Sequence, residues 1–311
     1  MILVVGLSPA WQRTLEFEEI VPGKVNRAAR VKEAASGKGV NVARVASILG
    51  ADVKLLTVAG GKRGQLLKAQ LKRQGLNARV VAVNAETRIC QTLIARSVTT
   101  ELVEEAGPLT TKEVREVLRS FSLAVRKADL VVLTGTVPIG CGDDFYARLT
   151  DESTRHGVRV LIDAQKVQLR NALKQRPFLV RINRDELKAA SGSNGTGRKG
   201  VLTALGKLMR HGPRWAVISN GAKSIYVSET PGIRASTLTP PKVATKNPIG
   251  SGDAMMAGIA VGLVRGQPIL EAMRLGAACG AANAMTAEAG FVRMRDVQRL
   301  CWTLTRRIFI V

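Results

Sequence analysis

Short apolar runs alternate with amphipathic stretches along most of the chain. Ile2–Gly6, Val53–Val58, Val80–Val83, Leu130–Leu133, Val158–Ile162, Phe178–Ile182 and Trp215–Ser219 are brief and mostly apolar, as strands buried on both faces are. Between them, Asn41–Leu49, Gly64–Gln74, Thr111–Arg126, Asp143–Arg155, Asn183–Ala190 and Lys199–Arg210 repeat apolar positions at helical spacing. Gly50 and Gly75 stop the first two, and Thr110 or Thr111 stands at the N-cap of the third. Strands separated by helices predict a mainly parallel sheet covered on both faces. Residues 12–35 and 87–104 break the rhythm. They alternate polar with apolar side chains, as in Thr87-Arg88-Ile89-Cys90-Gln91-Thr92, which predicts a small antiparallel sheet with one wet face, placed to cover a substrate or to pair with a second copy. Ser191–Gly197, rich in turn formers, is the expected flexible loop.

Composition narrows the picture. Hydrophobic residues make up 46% of the 311 but aromatics only 4%, so the core must be aliphatic. Cys90, Cys141, Cys279 and Cys301 are far apart and form no CxxC pair, which argues against zinc or a disulfide framework and for a reducing cytoplasm. The only histidines, His156 and His211, each precede a glycine at a helix end and read as surface residues, so no protein-held transition metal is expected. The first residues do not form a signal peptide. The apolar run at 253–264 falls short of the ~20 residues of a membrane span. The net charge is +23, but Lys and Arg are dispersed, with no basic block and no interleaved aromatics. This charge reads first as a solvated face, next as steering for anionic substrates, and last as a nucleic-acid surface.

The chemistry concentrates at Asn247-Pro-Ile-Gly-Ser-Gly-Asp-Ala254, a small-residue turn opening an apolar helix. N–H groups at a helix start lack intrahelical partners and attract anions. Gly250 and Gly252 let that backbone approach a ligand without a Cβ in the way. Asp253 at its mouth reads equally as an N-cap or as a general base on an attacking hydroxyl. Further polar or glycine-containing loops follow the expected strands: Ser36-Gly37-Lys38-Gly39-Val40-Asn41 before a helix, Thr134-Gly135-Thr136, Asp163, Arg181-Ile182-Asn183-Arg184-Asp185-Glu186, and Ser219-Asn220-Gly221-Ala222. Ligands of such sheets bind beyond the carboxyl ends of strands. There is no P-loop and no GxGxxG after the first strand.

The turn 247–253 resembles the C-terminal signature of the PfkB (ribokinase-like) sugar kinases, and Ser36-Gly-Lys-Gly-Val-Asn-Val-Ala43 resembles their N-terminal one. The order and spacing of the motifs match over essentially the whole chain, nearest the 1-phosphofructokinase and tagatose-6-phosphate kinase branch. The resemblance implies one ribokinase-like domain over 1–311, a three-layer α/β/α sandwich whose lid sheet is drawn from about 12–35 and 87–104. It implies ATP and Mg²⁺, a phosphorylated ketohexose acceptor, and a homodimer through the lid. Asp253 would be the base, with Gly250, Ser251 and Gly252 as the anion hole. Asn183 and Glu186 would serve the nucleotide and Mg²⁺, the latter through water. Ser219, Asn220, Gly221, Ala222 and Asn283 would serve the nucleotide. Gln12, Gly37, Lys38, Asn41 and Thr136 would serve the sugar, and Arg88, assisted by Lys24, its phosphate. Membrane and nucleic acid are not expected partners.

The chain departs from that pattern at the sugar end. Asn-Pro-Ala-Ile-Asp becomes Ser8-Pro9-Ala10-Trp11-Gln12, so an amide replaces a carboxylate. Gly-Gly-Lys-Gly becomes Ser36-Gly37-Lys38-Gly39, and Lys-Pro-Asn becomes Arg181-Ile182-Asn183. A kinase for an unphosphorylated sugar or nucleoside, and a weakly catalytic sugar-phosphate binder, remain alternatives.

Overall fold

The computed structural model describes residues 1–96, 98–191, 197–229, 235–304 and 308–309, so most of the turn-rich stretch at 191–197 lies outside the described residues. The elements in chain order are β1 (Ile2–Val5), β2 (Ala10–Phe17), β3 (Arg30–Ser36), α1 (Lys38–Ile48), β4 (Val53–Ala59), α2 (Gly61–Arg73), β5 (Ala78–Ala82), β6 (Arg88–Ala95), β7 (Val98–Val103), α3 (Thr111–Val125), β8 (Leu130–Thr134) and α4 (Phe145–Arg155). They continue with β9 (Arg159–Asp163), α5 (Lys166–Leu173), β10 (Leu179–Asn183), α6 (Arg184–Ser191), α7 (Gly197–Met209), β11 (Trp215–Ser219), β12 (Ile225–Glu229), β13 (Ala235–Leu238), α8 (Ser251–Val264), α9 (Ile269–Ala284), α10 (Met294–Leu304) and β14 (Ile308–Phe309).

The large sheet runs β14-β13-β12-β11-β10-β9-β8-β1-β4-β5. Its strands are parallel from β11 to β5, with β12, β13 and β14 added antiparallel at one edge. The period-2 alternation of each strand divides the core in two. Ile2, Val4, Leu130 and Val132 pack in one cluster with residues of α1, α8 and α9. Leu3, Val5, Val131 and Leu133 pack in the other with residues of α3, α4 and α7. The result is the expected helix–sheet–helix layering.

The small sheet runs β3-β2-β6-β7. It is not wholly antiparallel as expected: β2 and β6 pair in parallel, with Gln12 opposite Cys90 and Thr14 opposite Thr92. These two strands are joined through β3, α1, β4, α2 and β5 rather than a hairpin, and a crossover leaves them running the same way. α1 begins at Lys38, earlier than expected, because Gly37 (φ 104°) turns the chain directly into it. Lys38 and Asn41 therefore share its first turn. In α3, Thr110 and Glu113 form a capping box. Among the described residues no helix is long and apolar enough to cross a membrane.

Candidate active site

The carboxyl ends of β8, β9 and β10 deliver Thr134, Asp163 and Asn183 to one edge of the large sheet. With the start of α1, the start of α8 and the strands β2, β6 and β7, Thr134 and Asn183 border a cavity of about 560 Å³, and Asp163 lies behind its wall. Of the residues expected at the site, Gln12, Gly37, Lys38, Asn41, Arg88, Thr136, Asn183, Glu186, Gly250, Gly252 and Asp253 line it. Another cavity of about 610 Å³, between α5 and α7, is walled by leucines and basic side chains. Among the described residues no carboxylate lines it.

Asp253 is not the N-cap of α8. That position belongs to Gly250, in the left-handed region at φ 81°, and no side chain caps the helix. Gly250 is required sterically as well, since a Cβ there would stand 2.5 Å from Gly290 N. Asp253 sits in the first turn, 6% exposed, and accepts a hydrogen bond from Asn41 Nδ2 (2.8 Å). Burial pushes its carboxyl up to about 6; Asp163 adds to the rise, while Lys38, Asn41 and Arg181 oppose it. A carboxylate titrating there is basic enough to accept a proton near neutrality and still ionised above that pH.

Beneath it lies a buried ion cluster. Asp163, fully buried, accepts from Lys38 Nζ (2.9 Å) and Arg181 Nη1 (2.8 Å). Burial would raise the Asp163 carboxyl, but the two cations hold it below its ordinary value. Arg181 Nη2 donates to Ser219 Oγ (2.8 Å), and its Nε has no hydrogen-bond partner among the described residues. The guanidinium lies against the start of α8: a Cβ on Gly252 would stand 2.6 Å from Nη1 and Nη2. The missing Cβ thus brings a fixed positive charge up to the helix N-terminus, where both attract an anion.

Asn183 and Glu186 cap α6 reciprocally. Asn183 N donates to Glu186 Oε2 (2.7 Å) and Glu186 N donates to Asn183 Oδ1 (2.8 Å). Gln165 Nε2 donates to the other Glu186 oxygen. Among the described residues no group of three or more His, Cys, Asp or Glu could cage a metal. One anchored carboxylate on a cavity wall suits a divalent cation held mainly by water and phosphate oxygens.

At the opposite wall, Gln12 is buried and its Nε2 donates to Thr92 Oγ1 (2.8 Å). Trp11 points elsewhere and donates to Glu33 (3.2 Å). Arg88 donates from Nη1 to Glu104 O (2.9 Å) and from Nη2 to Ser8 O (3.0 Å). Ser8 Oγ in turn accepts from Thr136 Oγ1 (3.0 Å).

The remaining expected residues do not border the cavity. Lys24 is exposed in the connection between β2 and β3. Asn220, Gly221 and Ala222 form a turn beyond β11. Ser251 N is committed to Pro248 O (3.2 Å). Asn283 is fully buried. Its Nδ2 donates to Ile249 O (2.8 Å) and Ser251 Oγ (3.2 Å), and its Oδ1 accepts from Gly290 N (2.8 Å), so it braces the turn from behind. Sequence reasoning did not single out Arg181, Gln165, Glu101 or Glu105 as site residues, yet all four line the cavity. Arg181 did carry a signal, since a lone charge in an apolar strand needs a buried partner.

Residues 1–293 match the family model described as pfkB family carbohydrate kinase. The chain belongs to that family. A tagatose-6-phosphate kinase of Staphylococcus epidermidis (strain RP62A) is 27% identical over 295 residues, 94% of each chain. Among solved structures, phosphofructokinase-2 of Escherichia coli in complex with substrates and products superposes with a TM-score of 0.89 at 22% identity, covering 98% of this chain and 99% of that one. Ribokinase of Arabidopsis thaliana complexed with ribose and ATP gives 0.77 at 19% identity, covering 96% and 98%. The fold is thus ribokinase-like, and the pfkB protein is a carbohydrate kinase by family. Membership implies ATP as phosphoryl donor.

Proposed function

We propose that this kinase transfers the γ-phosphoryl group of ATP to a primary hydroxyl of a phosphorylated ketohexose of the fructose 1-phosphate, fructose 6-phosphate or tagatose 6-phosphate type. The observation that carries the reading is Asp253, buried, held by Asn41 and poised near neutrality at the mouth of α8. Asp253 accepts the hydroxyl proton as the oxygen attacks phosphorus and ADP leaves. Charge on the transferred group is met by the N–H groups of Gly250 and Gly252 and by Arg181, so catalysis is positioning and preorganised charge. Asn183 and Ser219 to Ala222 serve the nucleotide, and Asn283 acts through the turn it braces. Glu186 would hold Mg²⁺ through water; the ion supplies charge neutralisation on the phosphates. Gln12, Gly37, Lys38, Asn41 and Thr136 border the sugar, with Arg88 and Lys24 towards its phosphate.

The small sheet acts as a lid on the large one within a single domain. Val31, Val98 and Leu102 leave its strands 48%, 62% and 49% exposed, which supports a homodimer through that sheet. Work in the cytoplasm, without nucleic acid or membrane, fits the reading.

A second acceptor class, an unphosphorylated sugar or nucleoside, is favoured by one observation. Both terminal nitrogens of Arg88 are spent on backbone carbonyls, and Glu101 and Glu105 share its cavity. A coupled ADP-release assay over sugar phosphates and free sugars decides. Release with ketohexose phosphates is expected; release with neutral acceptors alone would overturn the phosphorylated class, and none at all would favour a binding protein.

A further inference from the structure

Asn41 uses both ends of its amide, and all the groups involved are buried. Ser36 Oγ donates to Asn41 Oδ1 (3.1 Å), and Asn41 Nδ2 donates to Asp253 Oδ2 (2.8 Å). Ser36, Asn41 and Asp253 are 5%, 4% and 6% exposed. The amide has little room to move. A Cβ on Gly290 would stand 2.4 Å from Asn41 Cγ, and that glycine is itself fixed by Asn283. In the observed orientation an N–H faces the carboxylate. With the amide turned over, its oxygen would face Asp253, acceptor against acceptor.

We infer that Ser36 is a positioning residue for the base, its hydroxyl fixing the Asn41 amide that holds Asp253. This rests on the reading of Asp253 as general base. Ser36 is the last residue of β3 in the small sheet, Asn41 lies in the first turn of α1, and Asp253 opens α8. The three-residue chain therefore ties the end of the small sheet to the group that takes the proton. The Gly-Gly-Lys-Gly pattern has no hydroxyl at this position, so the device belongs to this sequence. The charged groups around Asp253 are Lys38 from α1, Asp163 from β9 and Arg181 from β10, and none of them contacts Ser36 among the described hydrogen bonds and ion pairs. Removing the Ser36 hydroxyl leaves Asn41 Oδ1 without its donor and weakens the N–H bond that keeps Asp253 ionised.

The test is the pH dependence of kcat/KM for Ser36→Ala, Ser36→Gly and Ser36→Thr, with Asp253→Asn as reference. For Ser36→Ala and Ser36→Gly the acidic limb should move up by roughly half a unit, with about a threefold loss below pH 6. Ser36→Thr should restore both. In an Asn41→Ala background, Ser36→Ala should change nothing further. If Asp253→Asn abolishes turnover while Ser36→Ala leaves the limb in place, or lowers the rate equally with and without Asn41, this inference fails alone. Retained turnover in Asp253→Asn would instead remove the base on which it rests. Equal melting temperatures for the three Ser36 variants exclude a folding defect as the cause.

Discussion

Asp253→Asn should make the protein less active and more stable, and the gain in stability should depend on pH. The carboxyl is raised from 3.8 to about 6, chiefly by burial. That difference of about two units corresponds to ~3 kcal/mol, since each unit is 1.36 kcal/mol. The sign follows from proton binding. A carboxyl with a raised folded-state pKa binds its proton more tightly when folded. Its favourable contribution is complete below about pH 4 and is lost as pH rises through 6. Lys38 and Arg181 attract the ionised form, but that attraction is already inside the net shift. An amide carries no charge at any pH, so the variant escapes the loss. Its advantage over the parent should grow by up to ~3 kcal/mol between pH 4 and pH 7. At ~2.1 cal/mol/K per residue over 311 residues, this is ~5 °C in melting temperature. Turnover should fall at least ~100-fold, the scale of a lost general base, with nucleotide binding retained. Urea and thermal melts at half-unit pH steps, beside steady-state rates, measure both. An advantage that is flat with pH, or that shrinks as pH rises, would refute the reasoning, as would unchanged turnover.

Three further outcomes follow from the geometry. Gly252→Ala should displace the Arg181 guanidinium, because the new Cβ would stand 2.6 Å from both Nη atoms; kcat should fall by ~10- to 100-fold, and the melting temperature should fall with it as the Arg181 bonds to Asp163 and Ser219 loosen. Asp163→Asn leaves Lys38 and Arg181 without their shared carboxylate and should cost ~3–5 kcal/mol in denaturant melts. It also removes the charge that adds to the rise at Asp253, so the acidic limb of any residual activity should move down. Leu102→Glu, on the exposed part of β7, should convert a dimer into monomers in analytical ultracentrifugation, and a sedimentation profile unchanged from the parent would count against the interface.

The layered fold was legible because its strands are nearly pure apolar runs; a fully buried parallel strand has no polar face to confuse the pattern. α5 was not read, being short and starting straight after a loop, and neither were the added strands β12 and β13, which follow no crossover helix. The parallel pairing of β2 with β6 is invisible to alternation, which specifies a wet face and not a direction. At the site, Asp253, Asn41 and the glycines stood out because they sit in contiguous motifs. Asp163 and Arg181 are separated in sequence and meet only through the register of β9 with β10, so their pairing could not be read in advance. Asn283 has one role in the motif pattern and another in the packing, because its amide reaches backbone groups on two loops.

Helix α8 leans on α9 through bare backbone. A Cβ on Gly258 would stand 2.7 Å from Gly276 Cα, and one on Gly276 would stand 2.8 Å from Met255 O. Such a seam tolerates neither a methyl group nor a slide along the helix axis, so the base and the turn before it are locked to the body of the protein. The acceptor wall is built differently, from the small sheet, whose edge strands β3 and β7 carry exposed side chains. Diversification is therefore cheap on one side of the cleft and close to lethal on the other. A laboratory search for new acceptors should randomise positions such as Gln12, Cys90 and Val103 and leave α8 and α9 untouched. Libraries that include the seam are expected to yield mainly insoluble clones.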